Sequence, residues 1–176
     1  MRTWEEVRED FPILKEKIHG KDLIYLDNAA TTQLPQQVLD CFVEHYTKYN
    51  ANVHRGIHYL SELSTMHMEA VRDKLKAFLH AEDQGEIIFT SGATDSANLV
   101  AQSFLRHVLQ LGDVVLSTEL EHHANFVVWQ QVCQECGAEF HMIPTVDGEL
   151  DMDAAHKMLS DKVKLLAVTA VSNVTG

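Results

Sequence analysis

No apolar run in this 176-residue chain approaches the roughly 18 residues that a membrane-spanning helix needs. The opening stretch, Met1-Arg-Thr-Trp-Glu-Glu-Val-Arg-Glu-Asp10, is charged and has no apolar signal segment, so the expected location is the cytoplasm. Basic residues are scarce: 14 Lys and Arg stand against 26 Asp and Glu, a net charge of −12. That field repels nucleic acid and anionic membrane surfaces, and neither is an expected partner. Any anion site must therefore be built locally from positioned donors. Cysteine is scarce too. Cys41, Cys133 and Cys136 are too few and of the wrong parity for a disulfide framework. Cys133-Gln-Glu-Cys136 falls in a helical stretch, and no second pair completes a zinc site. Three prolines, Pro12, Pro35 and Pro144, leave no room for a proline-rich linker, and there is no repeat or low-complexity segment.

What is present alternates. Residues 4–18 read as an amphipathic arm interrupted at Pro12. Residues 23–26 (Leu-Ile-Tyr-Leu) read as a short strand ending in a turn at Asp27-Asn28. Pro35 suits the first turn of a helix that runs to about Tyr49. Residues 61–79 read as a helix, with Leu63, Met66, Ala70, Leu75 and Phe78 near helical spacing. Strand–helix units follow: a strand at 87–89 and a helix at 94–109, then a strand at 114–117 and a helix at 125–136 with Gly137 at its end. A strand at 139–143 leads through Asp147-Gly148 to a helix at 151–159. The continuous apolar run 163–170 has the look of a strand buried in a parallel sheet.

Such alternation predicts an α/β sheet with helices on its faces. Ligands in these sheets bind beyond the carboxyl ends of the strands. Three polar clusters fall there, at residues 90–95, 119–125 and 172–176, and are expected to converge on one site. The chain stops at a turn just after a strand, which reads as a truncated domain.

Ser91-Gly-Ala-Thr-Asp95 offers small residues, two hydroxyls and the N–H groups of a new helix, the means of holding a phosphate. It lacks the spacing and lysine of a Walker loop. Taken alone, it is a weak signal, and a plain helix cap is the better reading. Glu119-Leu-Glu-His-His-Ala-Asn125 puts adjacent imidazoles after a strand, able to stack on a planar ring or shuttle a proton, or simply to lie on the surface. Glu121 and His141 are only loose candidates for a metal site. Asn50-Ala-Asn-Val-His-Arg-Gly-Ile-His58 carries Arg55, a fork suited to a carboxylate or phosphate. Leu26-Asp-Asn-Ala-Ala-Thr-Thr32 has small residues that admit a close ligand, or form an ordinary turn.

As an ordered set, "YLDNAATT", "NVHRGIHYLS", "SGATDSANLV", "EHHANFVVWQ" and "VSNVTG" closely resemble the class V aminotransferase family. Within it they are most similar to the SufS-type, group II cysteine desulfurases. The resemblance spans about residues 11–176. It implies the N-terminal part of the pyridoxal-phosphate-dependent transferase type I fold, truncated: an arm at 1–20 and an incomplete cofactor-binding large domain at 21–176. It implies pyridoxal 5′-phosphate as cofactor, and L-cysteine (or L-selenocysteine) as substrate. The product is alanine, with persulfide sulfur passed to an acceptor protein of iron–sulfur assembly, in a homodimer at full length.

By the same resemblance, Ala93 and Thr94 match residues that hold the cofactor phosphate. His122 matches the stacking, proton-moving imidazole. Asn173 matches an amide that contacts the ring hydroxyl and the substrate carboxylate. Ala29 matches a substrate-pocket residue, and His54 and Arg55 a substrate-side segment at the dimer interface. The family's Schiff-base lysine, its acid opposite the ring nitrogen and its cysteine nucleophile belong to later motifs, so this chain alone is expected to be inactive. It is also expected to be poorly soluble, with an apolar edge at 163–170. The alternatives are a selenocysteine lyase, another enzyme of the same fold, or a non-catalytic half-length partner of a full-length desulfurase.

Overall fold

The computed structural model describes residues 2–176. The chain divides into two units, Met1–Ile88 and Phe89–Gly176, each described by itself.

In the first unit, α1 (Trp4–Arg8) opens on Thr3. The Thr3 hydroxyl accepts the Glu6 N–H and the Glu6 carboxylate accepts the Thr3 N–H, which satisfies donors a helix start leaves open. Hydrogen bonding from Arg2, then from Gln37, holds the Asp10 carboxyl below its usual range. A 3-10 turn at Pro12–Lys15 follows. β1 (Lys17–Ile18) and β2 (Lys21–Asp22) pair antiparallel. Between them His19 and Gly20 have φ of 53° and 79°, the positive values a two-residue hairpin turn needs.

The expected strand at 23–26 does not form. The composition suits a strand, but its backbone is claimed elsewhere: the Leu23 N–H donates to the Glu16 carbonyl, and the Leu23 carbonyl accepts from the Arg8 guanidinium. α2 (Gln36–Glu44) takes Pro35 as its cap, then widens into a π-helical segment, His45–Tyr49. α3 (Tyr59–Leu79) begins slightly before the expected residue 61. Residues 87–89 are also not a strand. The Ile87 carbonyl, which a ladder would use, accepts from the Arg72 guanidinium on α3.

In the second unit, α4 (Ala93–Val100) continues through a π-helical segment, Ala101–Leu105, into α5 (Arg106–Val108). The expected helix at 94–109 is thus present but not uniform. Ala97, Ala101, Leu105 and Leu109 recur every four residues and all face the core. A four-residue step overshoots a regular turn by about 40°. The wider π turn brings the stripe back onto one face. β3 (Val114–Thr118) leads to α6 (Val127–Cys136) and β4 (Glu139–Ile143). A hairpin of β5 (Thr145–Val146) and β6 (Glu149–Leu150) turns at Asp147 and Gly148, both with positive φ. The Asp151 carboxylate caps α7 (Met152–Met158), accepting the Ala154 N–H at 2.9 Å. β7 (Val163–Leu166) completes a parallel sheet of order β4-β3-β7.

The core lies between this sheet and the helices, where Leu105, Val115, Trp129, Val132 and Cys133 meet. β3 is central, and Val115 and Leu116 are both buried, so it reads as a continuous apolar run. β7 is shorter than the expected 163–170 and alternates in burial, with Leu166 and Val168 each 45 % exposed. It pairs with β3 along one edge only among the described strands.

Candidate active site

The start of α4 is shaped by Gly92. Its φ of 145° and ψ of 179° lie in a region essentially reserved for glycine. This turn presents the Ala93, Thr94 and Asp95 amides, first-turn donors that an α-helix leaves without an internal acceptor. The Asp95 carboxylate bends back to accept the Ser91 N–H at 3.0 Å. The Thr90 and Ser96 hydroxyls lie 2.6 Å apart and brace the turn.

Facing this cradle is the loop after β3, which carries His122. The His122 Nδ1 accepts the Ala124 N–H at 3.1 Å, so the proton of the neutral ring sits on Nε2. The ring is exposed. Gly92, Ala93, Thr94, Asp95, His122 and Ala124 line an open cavity of about 570 Å³. An adjoining cavity of about 360 Å³ extends past Ala93 and His122 to Glu121, Asn125 and Thr169. Another concavity of the same unit is ringed by Asp147, Glu149, Asp151 and Asp153, and would repel an anion.

The sequence-predicted Ala93, Thr94 and His122 therefore share one cavity. Asn173 stands in the exposed turn beyond β7, where the Ser172 hydroxyl accepts the Val174 and Thr175 N–H groups at 3.1 and 3.3 Å. The β7 side of the cavity is formed by Val168 and Thr169. Ala29, His54 and Arg55 belong to the first unit. Ala29 lies in a turn whose Asp27 carbonyl accepts the Ala30 and Thr31 N–H groups. His54 has a φ of 65°, donates its N–H to the Thr65 hydroxyl at 2.9 Å, and lies 3.4 Å from the Glu69 carboxylate. Arg55 is exposed in the same loop.

Two acidic residues whose structural role the sequence does not reveal anchor the His122 loop. The Glu119 carboxylate accepts the Thr145 N–H and hydroxyl at 2.8 and 2.9 Å. The Glu121 carboxylate accepts the Thr118 hydroxyl at 2.8 Å, the Thr169 N–H at 2.7 Å and the Asn125 amide at 2.7 Å. The spacing Thr118, Glu121, Asn125, Trp129 is the only trace of this in the sequence. Glu121 is thus fully engaged within the protein, while His141 pairs with Glu139 on β4 at 2.8 Å. No group of three or more metal-ligating side chains is assembled among the described residues.

Converging amides, a threonine hydroxyl and an exposed imidazole fit a planar ring that carries a phosphate. The fold and site define an α/β protein with an anion cradle at the sheet's carboxyl end. Residues 24–176 match the family described as aminotransferase class V, and the chain belongs to that family. It is 49 % identical over 173 residues to a cysteine desulfurase of Yersinia pestis (strain Pestoides F), covering 98 % of this chain and 43 % of that protein. A probable cysteine desulfurase of Halobacterium salinarum is 48 % identical over 174 residues, 98 % of this chain and 42 % of the relative. The apo structure of a cysteine desulfurase from Thermococcus onnurineus NA1 superposes with a TM-score of 0.88 at 39 % identity, over 98 % of this chain and 41 % of that one. The chain spans about two-fifths of the length of these relatives.

Proposed function

We propose that this chain forms the cofactor-phosphate side of a pyridoxal-phosphate-dependent cysteine desulfurase of the SufS-type group. Such an enzyme converts L-cysteine to L-alanine and holds the sulfur as a persulfide for an acceptor protein of iron–sulfur assembly. The observation that carries the reading is the shared cavity of the Ala93–Thr94 helix start and the His122 ring. The Ala93 and Thr94 amides and the Thr94 hydroxyl would hold the phosphate. His122 would stack on the ring and would offer Nε2 as the atom that holds or gives up a proton, because Nδ1 accepts the Ala124 N–H. Bound pyridoxal phosphate supplies an electron sink for bonds at the substrate α-carbon.

Asn173 is assigned to the cofactor's ring hydroxyl and the substrate carboxylate, and Ala29, His54 and Arg55 to the substrate side. The arm is assigned to residues 1–20 and the cofactor-binding domain to 21–176, acting as a homodimer in the cytoplasm at full length. Relatives about 2.3 times as long support treating the chain as part of a larger catalytic unit. No lysine or cysteine of this chain is assigned to catalysis, and the chain alone is proposed to be inactive.

The test is a spectral titration with pyridoxal phosphate. Saturable binding that inorganic phosphate competes away, and that His122→Ala weakens, is expected. Absence of saturable binding would overturn the reading. Alanine formation from L-cysteine by the chain alone would overturn the assignment of inactivity.

A further inference from the structure

We infer that Glu121 is a positioning residue that sets the His122 ring through a one-way chain of hydrogen bonds, an inference that rests on the cofactor reading above. The chain begins at Trp129 on α6, whose indole N–H donates to the Asn125 Oδ1 at 3.1 Å. An indole can only donate, so the Asn125 amide has no choice of orientation. Its nitrogen must face Glu121, where Oε2 accepts it at 2.7 Å.

The other Glu121 oxygen is equally constrained. Oε1 accepts the Thr169 backbone N–H at 2.7 Å, again from a group that can only donate. It also accepts the Thr118 hydroxyl at 2.8 Å. The Thr118 oxygen in turn accepts the Leu120 N–H at 3.2 Å. Both ends of the chain are therefore fixed donors, and only a residue with two accepting oxygens closes it. A carboxylate does so and its amide isostere does not.

The geometry gives this chain its purpose. It ties the end of β3 and the segment just beyond β7 to the first turn of α6, and it brackets His122. Glu121 precedes the ring and Asn125 follows Ala124, the residue whose N–H fixes Nδ1. Glu121, His122, Ala124 and Asn125 all line the same adjoining cavity. The chain thereby settles which His122 nitrogen carries the proton and which way the ring faces.

A swap of donors and acceptors tests this. Glu121→Gln turns an amide nitrogen toward the Asn125 nitrogen or the Thr169 N–H, so one contact must break whichever way Asn125 flips. Asn125→Asp alone sets two carboxylates against each other. The double change restores every donor to an acceptor, because the introduced amide at 121 donates to the introduced carboxylate at 125, which still accepts from Trp129.

The readouts are the ring-nitrogen chemical shifts of His122 and the affinity for pyridoxal phosphate. The wild-type protein should show an unprotonated Nδ1 and a protonated Nε2. Each single variant should mix the two forms and bind the cofactor roughly tenfold or more weakly. The double variant should return to within about threefold of wild type in affinity and regain the single ring form. If neither single variant folds, the double variant decides: a single ring form with near-wild-type affinity supports the inference, and a mixed ring form in the folded double variant overturns it. Wild-type behaviour of Glu121→Gln, or a double variant no better than the singles, would overturn the inference. If the wild-type protein binds no pyridoxal phosphate, the cofactor reading fails, and the ring-nitrogen pattern alone decides the role of Glu121.

Discussion

Replacing Gly92 with alanine isolates the backbone contribution to the anion cradle. An ideal Cβ at this position meets nothing within 4 Å, so no clash complicates the result. The whole cost is conformational. At φ 145° and ψ 179° an L-residue is strained by about 1–3 kcal/mol. The chain can respond in two ways. If the turn keeps its shape, the strain appears as lost stability, a fall in urea midpoint of roughly 1 M for a slope of about 1–3 kcal/mol per M. If the turn relaxes to negative φ, the Ala93 amide swings off the phosphate position. A charge-assisted hydrogen bond of about 1.5–3 kcal/mol is then forfeited, and affinity falls by roughly ten- to a hundredfold. Urea unfolding and pyridoxal phosphate titration on one sample measure both responses. Gly20→Ala is the control: it too has positive φ, 79°, and open space. It should cost about 1–2 kcal/mol in stability and nothing in affinity. A Gly92→Ala protein unchanged in both midpoint and affinity would refute the reasoning.

Three further perturbations follow from the packing. Leu105→Ala empties a site of zero exposure at the centre of the core, and should lower stability by about 3 kcal/mol in urea unfolding; a loss under about 1 kcal/mol would contradict the packing described. The Cys133 thiol is pushed up from 9.0 to about 11, first by burial and then by Cys136, so iodoacetamide should spare it near neutral pH while labelling the exposed Cys41, as read by peptide mass spectrometry. Because the folded value lies above the unfolded one, the linked stability is intact below pH 9 and declines as pH rises toward about 11. Cys133→Ala should flatten that part of the pH–midpoint curve. Gly56→Ala would drive a Cβ into the buried Ser61 side chain, which holds the Asn52 carbonyl at 2.5 Å and accepts the Gly56 N–H at 3.0 Å. It should lower the melting temperature, at a cost of about 1–3 kcal/mol, and an unchanged melt would argue against that staple.

Elements with a strong local period are legible in the residues alone. α3 and α6 follow helical spacing, β3 follows an apolar run after the Gly112-Asp113 turn, and β4 lies between the turn signals Gly137 and Asp147-Gly148. Of the three clusters expected to converge, residues 90–95 and 119–125 face each other across one cavity, although the first follows no strand, and residues 172–176 line neither this cavity nor the adjoining one. Residues 23–26 and 87–89 mislead because strand composition says nothing of what the backbone will bond, and arginines from α1 and α3 reach those carbonyls. The β5–β6 hairpin is too short to show a period, and only Asp147-Gly148 marks it. The role of Glu121 is hidden because one of its three partners, Thr169, lies 48 residues away in sequence.

The π-helical segment Ala101–Leu105 leaves the aim of the cradle resting on helical pitch. Upstream of it the helix points Ala93 and Thr94 at the cavity, while the segment's last residue, Leu105, and Leu109 beyond it are seated in the core. Each residue of a regular helix turns the chain by about 100°. Deleting one residue among these five would leave the core-facing turns where they are and rotate the amide donors away from the cavity by that angle. The direction in which an anion is gripped is thus stored roughly 12 Å along the axis from the grip itself, as a winding number rather than as the identity of any side chain.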